Sequence, residues 1–522
     1  MTIEKIITRN TGVKANEFLK KHPEPYIHNL KEGCDLLLCN KSKKVIIIGD
    51  YDVDGIFGST IMELGLRKAG FDVSTRIPLR FSEGYGLSEK IIDELDNDID
   101  VIVTVDNGIA AYAAIEKAKA EGKVVIITDH HLAPVDEEGN TIYPPADIII
   151  DPTIDPESEY HDYCGAAVAY RFIKELLGRD NMMLKVLASI ATVADVMPLT
   201  VINHQLVKEG LRLINANRCV PALKELLKEI ELSGHITEDD YGFLIGPIIN
   251  ASSRLYDNGA AKVLNIMLSG DSNFKLPWQV KYLIENNEKR KEITKECINQ
   301  ILPTIGEERP IVVFNPNMGE GIIGLVAGNL CERFKCPVIA FTRIDNGLLK
   351  GSGRSISEIH LKNVLDKIND KIVGYGGHAG AAGLTIKEDM LKEFTVAFME
   401  ACGEIPKPQK IKHDIEVIPG CIEEIVEKLN QYAPYGNGNP KVKCLLKSCI
   451  VEDYRVIGNE KSFMCKFSNY NIKALGFDLR ETYEKITKGL ANKKVDCIGY
   501  LSESWYKGKM EYKLEIVDIR AS

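Results

Sequence analysis

The sequence predicts an α/β protein: two α/β lobes joined by a long helix, with a small C-terminal β-barrel after them. Three textures carry that reading. Residues 45 to about 150 alternate short apolar runs with helical stretches, and a second unit of the same kind runs from Ile311 to about 400. From about 411 onward, short alternating strands take over. Apolar β-branched runs without alternation, spaced by helices, indicate a parallel sheet covered on both faces. Short alternating strands with few helices indicate a small barrel.

Taken in order, Val45-Ile46-Ile47-Ile48 is the first strand, and a helix follows from about Ile56 to Ala69. Val101 to Val105 and Val124 to Ile127 repeat the pattern, and residues 165–255 read as helical. A polar helix from about Pro277 to Ile301 connects the lobes. Proline suits a first helical position, and Asn286 to Lys291 reads as a solvated middle. Ile311-Val312-Val313-Phe314 opens the second unit, and the texture changes after the Pro/Lys stretch Ile405 to Pro408. The expected domains are residues 1–255, a connecting helix over 256–305, then 306–404 and 405–522. No internal repeat is visible.

Composition narrows the function classes. An apolar share of 45% over 522 residues is enough for several cores. No apolar h-region follows Met1, and no apolar run approaches the ~18 residues of a membrane span, so a soluble cytoplasmic protein is expected. Thirteen cysteines contain no C-x-x-C pair, which points to reduced thiols rather than disulfides or a zinc clip. The net charge of -10 argues against a generic DNA-coating protein. It is uneven, because residues 401–522 carry 20 Lys+Arg against 17 Asp+Glu, leaving -13 on residues 1–400. An acidic body with a mildly basic tail suits an enzyme whose carboxylates hold metal while nucleic acid is gripped elsewhere.

The strongest motif is Gly49-Asp50-Tyr51-Asp52-Val53-Asp54-Gly55. Carboxylates at alternate positions repel one another unless a cation or hydrogen bonds compensate. The opening matches a calcium EF-hand loop, but the twelfth position is Ile61 and a strand, not a helix, precedes it. Val105-Asp106-Asn107-Gly108 and Thr128-Asp129-His130-His131 follow the next two strands. Asp50, Asp106 and Asp129 therefore sit at the carboxyl ends of neighbouring strands, where open α/β sheets bind ligands. Asp195 is the one acid in the apolar run Thr192 to Leu199, where a helix cap or a satisfied core Asp stands level with a ligand. Mixed carboxylate and imidazole donors suit manganese or magnesium better than structural zinc. Two such ions ~3.5–4 Å apart can clamp a phosphoryl group and make hydroxide from water, so the chemistry is phosphate-ester or phosphoanhydride hydrolysis. No phosphate-binding G-x-x-x-x-G-K-[ST] loop is present, so no ATP-driven step is expected.

Together these pieces resemble the DHH phosphoesterase superfamily, named for a triplet that is Asp129-His130-His131 here. The second lobe is similar to its companion DHHA1 domain, with Lys350 to Ile356 and Gly376 to Gly383 as glycine-rich runs carrying Arg354 and His378. Glycines let backbone N–H groups approach a phosphate, and Arg and His add charge. Within the superfamily the RecJ exonucleases are the nearest likeness. Arg76 to Leu87, Cys164 to Tyr170, Gly246 to Arg254, and Tyr435-Gly436-Asn437-Gly438-Asn439-Pro440 with the later Trp505 to Gly508 and Asp518 to Arg520 carry that resemblance. It covers roughly residues 40 to 522. The family usually has Arg at the place of Ile248 and Ala-Gly at Ser252-Ser253, and an aromatic-His pair is replaced by Met318-Gly319-Glu320.

The resemblance implies a single-stranded-DNA-specific 5′→3′ exonuclease with two Mn2+ or Mg2+ ions and an OB-type C-terminal domain. By the same resemblance Asp54, Asp106, His130 and Asp195 hold one ion, while Asp50 and Asp52 hold the other with Asp106 shared. His131 then stands beside the scissile phosphate. Arg80, Arg254, Ser352, Arg354 and His378 are the expected phosphate-binding groups, and Tyr85 a base-stacking one. The implied setting is DNA recombination and repair as a cytoplasmic monomer, with a helicase and a single-strand-binding protein as partners and no membrane. Two other readings remain open at this point: a small-substrate phosphodiesterase acting on nanoRNA, 3′-phosphoadenosine phosphate or cyclic dinucleotides, and an inactive replication scaffold.

Overall fold

The β-branched run Lys44–Ile48 forms β1, and its apolar side chains alternate between the two sides of a sheet buried on both. With β2 (Val73–Arg76), β3 (Ile99–Val105), β4 (Val124–Thr128) and β5 (Ile148–Ile150), it makes a wholly parallel sheet of order β2-β1-β3-β4-β5. Val45, Ile47, Ile48, Val101, Ile102 and Val103 are all 0% exposed, as expected where helices cover both faces. The helix Val53–Ala69 starts three residues earlier than its apolar pattern suggested, because Asp52 caps it. In this strand order the direction of winding reverses between β1 and β3, which opens a crevice at their carboxyl ends.

The computed structural model describes residues 2–136, 138–232, 235–407, 410–458, 460–488, 494–506 and 509–522. Pro408 of the Pro/Lys stretch, and Lys507 and Gly508 of the late motif, lie outside the described residues. The chain divides into two compact units. One combines residues 1–76 and 86–246 with 410–522, and the other combines residues 77–85 with 247–409.

The first unit also holds a barrel. Strands β12 (Cys444–Ile457), β13 (Ser462–Phe467), β14 (Ile472–Gly476), β16 (Lys509–Ala521) and β15 (Lys494–Tyr506) pair in that order, and β12 pairs with β15 to close the ring. The short β11 (Ile415–Val417) adds in parallel beside β12. Cys444, Leu446, Cys497 and Leu514 fill its interior, and the first helix, Ile3–Thr11, adds Ile3, Ile6 and Ile7 to the same core. The expected small β-barrel is therefore present as a closed five-stranded one.

The second unit is built on a mixed sheet. Strands β6 (Ile311–Phe314), β7 (Val338–Ile344), β8 (Leu348–Arg354), β10 (Ala381–Lys387) and β9 (Gly374–Gly377) lie in that order, with only the first pair parallel. The long helix runs Leu276–Ile301 with Pro277 in its first turn. Its middle is not simply solvated, since Asn286 and Asn287 are 4% and 2% exposed. The Asn286 amide donates to the Ser252 hydroxyl at 2.9 Å, so polar letters in the sequence mark a buried polar seam. Ser252, Ser253 and Ile248, the departures from the family pattern, are likewise buried.

All thirteen cysteines are free thiols. Among the described residues no helix is long and apolar enough to cross a membrane.

Candidate metal centre

Backbone N–H groups hold two acids of the cluster, Asp52 and Asp54. Asp52 is the N-cap of Val53–Ala69, and its carboxylate accepts from the N–H groups of Asp54 and Gly55 at 2.9 and 3.2 Å. Asp54, in the first turn, accepts from the N–H groups of Gly165 and Ala166 at 2.6 and 2.8 Å. Those groups are the start of the helix Gly165–Leu177, where the helix dipole also favours an anion. Asp106 follows β3 in the left-handed region, φ 62°, with its N–H bonded to Thr128. Gly165 must be glycine for a steric reason, because a Cβ there would lie 2.5 Å from the Cβ of Asp106. Asn107 ties the strand ends together, donating to the carbonyls of Ile48 and Val105.

The histidines come from the turn after β4. The Asp129 carboxylate accepts from the N–H groups of His130 and Ile109 and from the His131 ring at 2.8 Å. Asp129 is thus a bracket for the histidines. His130 Nε2 lies 3.0 Å from Asp106, 3.5 Å from Asp54 and 3.8 Å from Asp195. Asp195 closes the group from the end of the helix Met182–Ala194, where it is the C-cap, so one residue both ends the helix and stands beside Asp54 and His130.

Three sets of donor atoms each lie within 4.8 Å of one another: Asp50, Asp52 and Asp106; Asp54, His130 and Asp195; and Asp106, His130 and His131. Asp106 joins the first set to the third, and His130 joins the second to the third. The electrostatics are strained accordingly. Burial, and then the charge of Asp54 and the other acids, push the carboxyls of Asp106 and Asp195 well above the usual range. Burial lowers His130 below an ordinary imidazole. Burial also opposes charge on His131, but the Asp129 hydrogen bond and nearby carboxylates outweigh it and lift the ring to about 9. Packed carboxylates and imidazoles of this kind fit divalent cations that prefer oxygen and nitrogen donors, as Mn2+ and Mg2+ do. The donor set thus passes the chemical test for such ions.

The expected phosphate-binding groups all lie in the second unit. Arg354 ends β8, with its guanidinium 3.2 Å from the Ser352 hydroxyl. A Cβ on Gly324 would meet Arg354 Nη2 at 3.0 Å and Ser352 Oγ at 3.1 Å, so the start of the helix Ile323–Phe334 rests directly on this pair. Arg254 donates to the carbonyl of Gly321, three residues before Gly324. Helix N-terminus, hydroxyl and two guanidiniums together form a corner whose donors could hold an anion. Arg80 lies on a segment fixed by Asp257, which accepts from the N–H of Phe81 at 2.7 Å and the Ser82 hydroxyl at 2.7 Å. His378 is exposed in the turn between β9 and β10, and no hydrogen bond joins it to Ser352 or Arg354 among the described residues. Tyr85 is 48% exposed.

Sequence reasoning missed Asn107 and the bracketing role of Asp129. An Asn directly after a strand-end Asp is the one signal that pointed to the former.

A parallel sheet with acids and histidines at its reversal point, plus a second lobe with glycine-rich strands on a mixed sheet, defines a DHH–DHHA1 protein. Family profiles agree: the DHH family, N-terminal domain matches residues 44–196, the DHHA1 domain 308–404 and the RecJ OB domain 414–518. The single-stranded-DNA-specific exonuclease RecJ of Salmonella typhimurium is 32% identical over 438 residues, which is 76% of this chain and 74% of that protein. The Thermus thermophilus RecJ is 30% identical over 504 residues, covering 95% of this chain and 71% of that protein. The crystal structure of Thermus thermophilus RecJ in complex with Mn2+ matches with a TM-score of 0.83 and 28% identity, over 99% of this chain and 75% of that one. The chain belongs to the RecJ family.

Proposed function

We propose that this protein is a metal-dependent single-stranded-DNA-specific exonuclease that hydrolyses phosphodiester bonds from the 5′ end. The observation that carries the proposal is the set of three donor triads linked through Asp106 and His130 at the reversal point of the sheet. Membership of the RecJ family, whose curated relatives are named as single-stranded-DNA-specific exonucleases, supports the substrate class.

Two divalent cations, Mn2+ or Mg2+, would supply the positive charge and Lewis acidity that phosphodiester hydrolysis needs. Asp54, Asp106, His130 and Asp195 would hold one of them, and Asp50 and Asp52, together with Asp106, would hold the other. His131, kept charged by Asp129, donates to the phosphate oxygen on which negative charge grows. Arg354, Ser352 and Arg254 seat the terminal 5′-phosphate, with Arg80 and His378 adding positive charge and hydrogen-bond donors. A planar guanidinium matches phosphate oxygens in pairs, which favours a chain end over internal phosphates. Tyr85 stacks on a base without regard to sequence.

The functional division follows residues 1–255 for catalysis, 256–305 as connector, 306–404 for phosphate and 405–522 for nucleic-acid grip. A cytoplasmic monomer supplied with substrate by a helicase and a single-strand-binding protein completes the proposal.

The test is a manganese-dependent polarity assay on 5′- and 3′-labelled oligonucleotides, single- and double-stranded, with and without a 5′-phosphate. Stepwise release from the 5′ end of single strands is expected. Cleavage of dinucleotides alone would select a small-substrate phosphodiesterase instead, and no hydrolysis at any manganese concentration would leave the scaffold reading.

A further inference from the structure

The helix that delivers Asp195 ends in an unusual way. Met197 N–H bonds back to the Thr192 carbonyl at 3.1 Å and Val196 N–H to the Val193 carbonyl at 3.1 Å, the pair of bonds that defines a Schellman C-terminus. The motif requires a left-handed residue just past the cap, normally glycine. Here it is Val196, at φ 58°. A β-branched side chain disfavours that conformation strongly. Val196 is 66% exposed, so packing of its own side chain does not offset the strain.

The stabilising contact comes from about 240 residues away in the sequence, within the same compact unit. The Asn437 side-chain amide donates to the Val196 carbonyl at 2.8 Å. The Leu199 N–H donates to the backbone carbonyl of Asn437 at 2.6 Å. These two bonds bracket the turn Val196–Leu199 from both ends. The fit leaves little room, since a Cβ on Gly436 would stand 2.9 Å from Leu199 and one on Gly438 3.1 Å from Thr200. The bracket is itself anchored: Tyr435 N–H donates to Glu238 at 2.9 Å, and the fully buried Asn439 amide donates to the carbonyls of Tyr432 and Pro434.

We infer that Asn437 is a positioning residue for the metal centre: it holds Val196 left-handed, and so keeps the adjacent Asp195 carboxylate aimed at Asp54 and His130. The consequence is that affinity for the ion depends on a loop belonging to the C-terminal segment. This rests on the reading of Asp195 as a metal ligand.

The experiment is a calorimetric titration of the full-length apo chain with MnCl2, without nucleic acid, on the unmodified protein, Asn437→Ala, Val196→Gly and the double variant. Losing one hydrogen bond of ordinary strength corresponds to a fall in Mn2+ affinity of about five-fold. Asn437→Ala is expected to lose about that much with unchanged circular dichroism, and Val196→Gly, which removes the strain, is expected to retain full affinity. The double variant is expected to recover most of the loss, because a glycine turn no longer needs the bracket. That rescue separates positioning from general destabilisation. Unmodified affinity in Asn437→Ala, or no recovery in the double variant, overturns the inference while leaving the metal site standing. No Mn2+ binding by the unmodified chain overturns both.

Discussion

Replacing Asp106 with asparagine should change the sign of its effect on stability with the metal content of the buffer. The residue is 2% exposed, and its carboxylate lies within 4.8 Å of those of Asp50 and Asp52. At an effective dielectric constant of ~20, a like-charge pair at that separation costs about 3 kcal/mol. Part of this cost is avoided because Asp106 takes up a proton more readily than an ordinary carboxylate, its acidity suppressed by burial and by Asp54 and the other acids. The neighbouring His130 offers little compensating charge, since burial favours its neutral form. Asparagine keeps the shape and removes the charge, so in EDTA Asp106→Asn should be more stable than the unmodified protein by roughly 1–3 kcal/mol, the part of the repulsion that protonation leaves. With Mn2+ at a hundred times its dissociation constant, the unmodified protein should gain about 2.7 kcal/mol, and the variant much less. Urea denaturation of both proteins, in EDTA and in MnCl2, measures the crossing directly. Hydrolysis by the variant should be lost. A variant less stable than the unmodified protein in EDTA, or one that gains as much from Mn2+, would refute the electrostatic account of the cluster.

Three other expectations follow from single contacts. Arg354→Lys keeps a charge beside Ser352 but loses the planar fork, so the preference for 5′-phosphorylated over 5′-hydroxyl oligonucleotides should fall by about ten-fold or more, read as the ratio of kcat/KM values. Gly165→Ala places a Cβ 2.5 Å from that of Asp106 and should cost roughly 1–3 kcal/mol of stability, with a measurable drop in hydrolysis. His204, buried and bonded to the Tyr432 carbonyl, has its acidity shifted by burial from 6.5 to about 4. As pH falls from 6.5 the unfolded chain takes up a proton that the folded chain refuses until about 4, so stability declines across that window. The loss is on the order of 3 kcal/mol at its acid end, and it should be absent in His204→Gln when melting temperature is followed against pH.

Much of the site was legible because it is written in strand ends. Parallel strands carry continuous β-branched runs, so their carboxyl ends can be read from sequence, and Asp50, Asp106 and the Asp129-His130-His131 triplet mark three of them in adjacent positions. Asp52 and Asp54 belong to the same motif, but their places as N-cap and first-turn residue came only with the structure, because the apolar pattern starts the helix three residues later. The second lobe was legible for a different reason: glycine-rich runs announce close approach, and Gly351 and Gly353 leave room for the side chains of Phe341 and Leu361.

Other features were decided only by chain segments meeting in space. Asp129 reads as a third strand-end carboxylate like Asp50 and Asp106, yet three-dimensional placement turns it inward to hold His131. Asn286 and Asn287 look like surface letters on a polar helix but are buried, Asn286 bonding to Ser252 and Asn287 to Arg290. Asn437 lies in a motif that reads as part of a barrel domain, and only the fold brings it to the turn beside Asp195. By itself, then, the sequence determined which residue types stand at strand ends and helix starts, because backbone geometry over a few residues is local physics. The tertiary structure alone decided which carboxylates face one another and which asparagines hold them in place. Those choices depend on packing between segments up to hundreds of residues apart, and on how much charge a dry site can tolerate.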